Sequence, residues 1–291
     1  MPPHASLAAR TSFCLDDIRL LTWVRSMPLS AQDWFFRFCR FSPGILDRVA
    51  GSGRPLELRA EEFSAAVSIF RFGKIFKLTC GDRTHVGDAL VAELASAMDR
   101  PRLLEVGVSD GHSAAGLLER RDLFGEVILS DRYNCFYTAR QGLRRWFFDA
   151  DGRAMGYKLG CLFVEPGDAA PPPERGRTVI ETANPLLRER HGVHAIRRFD
   201  MFADVLDRPV QLIKCANLLN VEYFPPDELR RAVDNLMASL SPGGHLVVSQ
   251  NNDRYSGGEA AFVLAKAPDG PRVTRRCGDH DAVRFFRDGN A

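Results

Sequence analysis

The sequence predicts an α/β fold: a mostly parallel sheet with both faces covered, an antiparallel hairpin at its C-terminal edge, and an N-terminal helical cap. Three observations carry this. Short apolar runs between residues 102 and 249 alternate with stretches of helical spacing, the rhythm of parallel strands joined by crossover helices. Ala260 to Ala265 and Val273 to Cys277 flank Pro268-Asp269-Gly270-Pro271, the pattern of two strands and a turn. Between Phe13 and Val49 the apolar residues are dense and aromatic (Trp23, Trp34, Phe35, Phe36, Phe38, Phe41), at spacings that suit short helices better than alternating strands.

The elements follow in order. Ser30 before Asp33 resembles an N-cap with an acid at the third helical position. Gly51-Ser52-Gly53-Arg54-Pro55 breaks the pattern and Glu61 to Phe72 resumes it, so residues 1–80 read as the helical cap. Val86, Leu90, Val91, Leu94 and Met98 then mark one face of a helix that Pro101 follows. Arg102 to Val106 reads as a strand, His112 to Arg121 as a helix, and Glu126 to Leu129, Ile196 to Phe199 and Val210 to Cys215 as further strands. Pro226 to Leu240 reads as a helix with Pro226 in its first turn and Leu229, Val233, Leu236 and Leu240 on one side. Ser241-Pro242-Gly243-Gly244 is a turn, and His245 to Ser249 is a strand. Residues 81–291 make up this second domain. The connection after its second strand exceeds any ordinary βα loop, so an insertion is expected at about 137–173. Within and after it, Arg144 to Phe148 and Tyr157 to Val164 read as a hairpin, Ala169 to Pro173 as a stiff linker, and Thr178 to Arg190 as a helix.

Composition bounds the function. The chain has 291 residues, 45% hydrophobic and 26% charged, which excludes disorder for most of its length. Its net charge of +2 supplies no general attraction to polyanions, so no nucleic acid partner is evident. The seven cysteines show no C-x-x-C pair and no zinc-finger spacing, which suits reduced thiols and no metal site. The first residues lack a charged start followed by an apolar run, and no stretch approaches a membrane span. A cytoplasmic protein with no membrane partner is expected.

The strongest chemical signal is Leu103-Leu104-Glu105-Val106-Gly107-Val108-Ser109-Asp110-Gly111-His112-Ser113. A buried strand feeds a glycine-bearing turn that opens a helix, where a ligand can approach the backbone and find free N–H groups. The three-glycine spacing of dinucleotide binders is missing. Asp131 follows the next strand at about the 20-residue interval that lets a carboxylate reach ribose hydroxyls, although capping a helix is its plainer use. Three polar clusters are candidates for ligand contacts: Lys74, Lys77, Arg83, Thr84 and His85; Arg132, Tyr133, Asn134 and Tyr137; and Asn217, Asn220 and Tyr223. The first could hold a carboxylate, the second offers aromatic faces to a cation, and His85 or His112 could take a proton. Motifs of zinc proteases, P-loop enzymes and serine hydrolases are absent from the sequence.

Taken together, Glu105-x-Gly107-x-x-x-Gly111, Asp131, Asp200, and Leu212 to Tyr223 followed by Leu240-Ser241-Pro242-Gly243-Gly244-His245-Leu246 resemble the ordered motifs of class I S-adenosylmethionine-dependent methyltransferases. The resemblance covers about residues 82–277 and implies a Rossmann-like domain that binds S-adenosyl-L-methionine. It implies that Glu105, Gly107, Ser109 and Gly111 form the turn under the methionine part of the cofactor, with Lys77 and Arg83 near its carboxylate. Asp131, with Arg132 beside it, would hold the ribose diol. Asp200 would accept from the adenine amino group, with Phe199 and Met201 on the two ring faces. Asn217 and Leu218 would face the sulfonium, and Asn217, His85 and Tyr133 would serve the acceptor as catalytic residues. Ser109 stands where many members carry a glycine.

Fold alone does not fix chemistry. The expectation is methyl transfer to a small-molecule nucleophile. Aminocarboxypropyl transfer, cyclisation of the cofactor releasing methylthioadenosine, or a non-catalytic cofactor-binding subunit are the alternatives, and a homodimer is allowed.

Overall fold

Strands that are apolar on both faces need a helix packed against each, and the C-terminal half of the chain meets that need. The computed structural model describes residues 11–72, 75–76, 84–165, 172–173, 175–252, 255 and 257–286. The chain divides into two units, residues 1–78 with 133–189 and residues 79–132 with 190–291.

The second unit is built on β1 (Arg102–Val106), β2 (Glu126–Asp131), β3 (Arg197–Arg198), β4 (Val210–Ala216), β5 (Leu240–Asn251), β6 (Glu259–Ala267) and β7 (Gly270–Cys277). Their order in the sheet is β3-β2-β1-β4-β5-β6-β7. Pairing is parallel from β3 to β5, and β6 and β7 add the expected antiparallel hairpin at the edge. This is the Rossmann-like arrangement, with its switch point between β1 and β4. Side chains alternate between faces along each strand. Leu104, Ile213, Leu246 and Val248 pack with Leu229, Val233 and Leu236 of α2 (Pro226–Ala238), whose entry is shaped by proline. Leu103, Leu212, Val247 and Ala261 pack with Leu90 and Val91 of α1 (His85–Ser96).

Two local expectations change in this unit. The Ser241–Gly244 turn lies inside β5 as a bulge: Leu240 pairs with Val210, and pairing resumes at His245 with Leu212. A Cβ on Gly244 would meet the Ser241 carbonyl oxygen at 2.9 Å and that of Gln211 at 3.0 Å, so only glycine lets the strand fold back on itself. The helix expected over 112–121 is three short turns, His112–Ala114, Ala115–Leu118 and Arg121–Leu123. Gly116 in the middle of that stretch weakens its helical preference.

In the first unit, the sheet order is 178–181, 135–141, 144–148, 154–159, 162–164, 11–14, 39–40. The cap is therefore not all helical, although Ile18–Arg25, Leu29–Phe35, Gly44–Ala50 and Leu56–Ser68 are helices as the aromatic spacing suggested. Thr11 pairs with Val164, and this antiparallel contact joins the N-terminal segment to the insertion. The expected boundaries at 80 and 81 thus give way to an interleaved division in which the insertion belongs with the cap. The 144–148 and 154–159 hairpin is present. Thr178–Glu181 is a strand rather than the start of a helix, because its β-branched residues pair with Cys135 to Thr138, and the helix begins at Pro185. Ser30 is no N-cap, since the helix starts at Leu29 after Pro28, whereas Asp17 caps the preceding one by accepting from the Leu20 N–H at 3.0 Å. Phe63, Phe136, Phe147 and Phe163 fill the core between helices and sheet.

Among the described residues six cysteines are free. Among the described residues no helix is long and apolar enough to cross a membrane, and no group of three metal-ligating side chains gathers.

His280 is a buried titratable group in the second unit. Its Nδ1 accepts from the Ala282 N–H at 3.1 Å, and its ring meets Phe262 edge-on at 5.0 Å. Burial pushes its pKa down to about 4, with Asp281 pulling weakly the other way. The unfolded chain therefore binds the proton first, and the stability this neutral ring contributes is present above about pH 6.5 and lost on acidification toward pH 4. Roughly 2 to 3 kcal/mol is expected to disappear across that window. Urea denaturation between pH 7 and 4 checks it: His280→Asn should flatten the slope, and an unchanged slope would assign it to other groups.

Candidate functional site

Because β1 to β5 run parallel, their carboxyl ends lie on one rim of the second unit's sheet. Gly107 to Gly111 follow β1, Asp131 ends β2, Phe199 to Met201 follow β3, and Asn217 and Leu218 follow β4. The bend after β1 is left-handed at Gly107 (φ 72), Ser109 (φ 60) and Gly111 (φ 80). A non-glycine residue in that region stores strain and is held there by its surroundings. The holder is Asp131, whose Oδ2 accepts from the Ser109 N–H at 2.9 Å. The Gly107 and Val108 N–H groups both donate to the Ser130 carbonyl, at 2.7 and 3.0 Å. Ser109 Oγ is buried at this bend with no hydrogen-bond partner. On the β4 side of the crevice, a Cβ on Gly107 would lie 2.2 Å from Leu218 Cδ1, so glycine lets Leu218 seat against the bend.

Asn217 is also left-handed (φ 59) and is locked by a reciprocal clasp. Its Nδ2 donates to Asn251 Oδ1 at 2.9 Å, and its Oδ1 accepts from the Asn251 N–H at 2.7 Å. Asn251, at the end of β5, is a site residue the sequence reading missed.

Asp200 is engaged on both oxygens. Oδ1 accepts from the Phe202 N–H at 3.0 Å, and Oδ2 faces Arg132 Nε at 3.2 Å. Arg132 and Asp200 thus bind β2 to the loop after β3. Phe199 and Met201 are buried in the core beside Leu206 and Met237.

Glu105 lies below the rim, on the α1 face, and is 2% exposed. Its partner across the ladder is Lys214, fully buried, whose Nζ lies 2.7 Å from Glu105 Oε1, 2.5 Å from Asp88 Oδ1 and 3.1 Å from Thr84 Oγ1. Burial lifts the Glu105 carboxyl above its ordinary range, and Lys214 offsets only part of that. Burial also works against the Lys214 charge, yet Glu105 and Asp88 together outweigh it and hold the amine protonated. Nearby, Glu259 accepts from the Val86 and Gly87 N–H groups at 2.7 and 3.1 Å, capping the N-terminus of α1 with a carboxylate. Lys214, Asp88 and Glu259 went unnoticed in the sequence. The available signal was a lysine inside an apolar strand, since a lysine buried there must be paired.

Of the other expected residues, His85 and Tyr133 are described. His85 opens α1 with its side chain exposed and Nδ1 at 3.6 Å from Glu259 Oε2. It lines a cavity of about 210 Å³ between α1 and the turns after Gly111, with Asp88, Ser113 and Arg120. Tyr133 packs against the core of the first unit. Lys77 and Arg83, with Lys74, lie outside the described residues. The Cys215 thiol, beneath the crevice, is pushed up to about 12 by burial and is no nucleophile.

No family model and no curated protein matches the chain. Several solved structures overlap it. A sugar N-methyltransferase from Streptoalloteichus, KedS8, is 14% identical over 74% of this chain and 83% of its own, at a TM-score of 0.35. The N-methyltransferase NodS of Bradyrhizobium japonicum, in complex with S-adenosyl-L-homocysteine, is 15% identical over 64% and 72%, also at 0.35. An S-adenosylmethionine-dependent methyltransferase from Clostridium acetobutylicum is 9% identical over 71% and 79%, at 0.37. Overlaps this loose carry nothing about chemistry to this chain.

Proposed function

We propose that the rim of the second unit binds S-adenosyl-L-methionine and that the chain transfers its methyl group to a small-molecule nucleophile. The observation that supports this most is the left-handed bend at the switch point, tied by Ser109 N–H to the carboxylate of Asp131. A purely structural turn has no need of a strained serine whose buried hydroxyl lacks a partner, and a polar ligand would supply one. By this measure the residues present fit the cofactor.

When bound, S-adenosylmethionine supplies an activated sulfonium methyl group, so the protein's task is chiefly to position reactants and exclude water. Gly107, Ser109 and Gly111 present backbone to the amino-acid part. Asp131 accepts from the ribose hydroxyls while keeping the bend closed. Asp200, steadied by Arg132, lies where the base would be recognised, with Phe199 and Met201 as the apolar support around it. Asn217, locked by Asn251, spends one of its two amide hydrogens on the clasp and offers the other to the acceptor. Glu105 contributes through Lys214, by fixing the strand below the bend. No general base is required of the crevice.

Calorimetry with S-adenosylmethionine and S-adenosylhomocysteine tests the reading. Binding of both in the micromolar range is expected, and no heat at millimolar concentration would reject it. Mass spectrometry of the spent cofactor, after incubation with a small-metabolite extract, should find S-adenosylhomocysteine. Methylthioadenosine in its place would overturn methyl transfer in favour of aminocarboxypropyl transfer or cyclisation, and binding without any turnover would mark a non-catalytic subunit.

A further inference from the structure

We propose that an open depression in the first unit is a binding site for an oxyanion, the phosphate or carboxylate group of a small molecule. The depression has a volume of about 460 Å³ and is lined by Arg19, Arg48 and Arg54 together with Ser52. That volume falls within the range of small-molecule sites. Three arginines line one concavity, and their forked donors match the geometry of phosphate and carboxylate.

Two of the three are pre-set. Arg48 donates through Nη1 to the Asp16 carbonyl oxygen at 3.0 Å, which fixes the guanidinium and leaves its other donors unspent among the described residues. Arg54 pairs with Glu62 through Nη1, which offsets its charge. Arg19 makes no side-chain hydrogen bond or ion pair among the described residues.

The two carboxylates in the lining, Asp16 and Asp17, are both hydrogen-bonded within the first unit. Asp16 is committed to Lys158 Nζ at 2.6 Å and to Ser42 through its N–H at 2.7 Å and its hydroxyl at 2.8 Å. Burial would raise the Asp16 carboxyl, but the hydrogen bonds from Lys158 and Ser42 win and hold it below its ordinary range. Asp17 is committed to the Leu20 N–H. Ser52 Oγ is buried without a hydrogen-bond partner, a donor awaiting an acceptor.

Every residue lining the depression belongs to the first unit, so the proposal does not rest on the methyl-transfer reading. Calorimetric titration of the full chain with inorganic phosphate, and separately with acetate, reads it directly. Saturable binding of at least one is expected, and the anion that saturates at the lower concentration names the source. Arg19→Gln, which breaks no internal bond, should weaken that binding by about tenfold, with Ser52→Ala weakening it less. Arg25→Gln, at the other end of the same helix, should leave it unchanged. No saturation by either anion at about 10 mM, or equal affinity in Arg19→Gln and Arg25→Gln, would overturn the proposal.

Discussion

Replacing Lys214 by methionine is expected to cost about 3 to 5 kcal/mol of stability, because it leaves a buried carboxylate without its cation. The amine is fully buried and bridges Glu105, itself 2% exposed, and Asp88 on the first turns of α1. Without it, Glu105 has no water to turn to and Asp88 adds repulsion. A second substitution separates charge from packing. Lys214→Met combined with Glu105→Leu removes both charges from the interior, and exchanging a buried pair for apolar groups is often close to neutral. Asp88, at 21% exposure, can then be hydrated. Urea denaturation should show the double variant recovering most of the loss at unchanged m-value. If the double variant is as unstable as the single one, the ion pair is not what supports the strand, and shape alone would be the cause.

That cluster also shows where sequence reading stops. The alternation of apolar runs made the parallel strands legible, as did Pro226 for the helix and Pro268 to Pro271 for the edge hairpin, because each rests on local pattern or backbone restriction. The rim followed from this, since the carboxyl ends of parallel strands must lie together. Lys214 was passed over because its role depends on which residue stands beside it across the ladder, and Glu105 sits more than 100 positions away. The same holds for the Asn217 and Asn251 clasp and for Glu259 under α1. The division into units was missed for a related reason. Thr11 to Cys14 is only four residues of buried-exposed alternation, too short to stand out, and it pairs with residues 162–164 far along the chain. Thr178 to Glu181 fits a helix or a strand by itself, and its partners at 135–138 decide.

Asp131 allows the cofactor reading to be tested against the structural one at a single position. Asp131→Ala removes the acceptor that holds the Ser109 N–H and any acceptor offered to the ribose hydroxyls. Two charge-assisted hydrogen bonds to a ligand are worth about 3 to 6 kcal/mol together, so S-adenosylmethionine binding should weaken by about 10² to 10⁴-fold. Loss of the bend would weaken it too, so alanine alone does not distinguish the two roles. Asp131→Asn does. Its amide oxygen can still accept from Ser109 N–H and preserve the left-handed backbone, whereas its NH₂ cannot accept from a ribose hydroxyl and the negative charge is gone. If Asp131 serves the ligand, the asparagine variant should keep thermal stability near that of the native protein and still lose most of the affinity measured by calorimetry. If its service ends at the bend, the asparagine variant should bind like the native chain and only alanine should fail. The contrast works because Asp131 is 7% exposed, so the charge that asparagine removes is one that water hydrates little in the native protein.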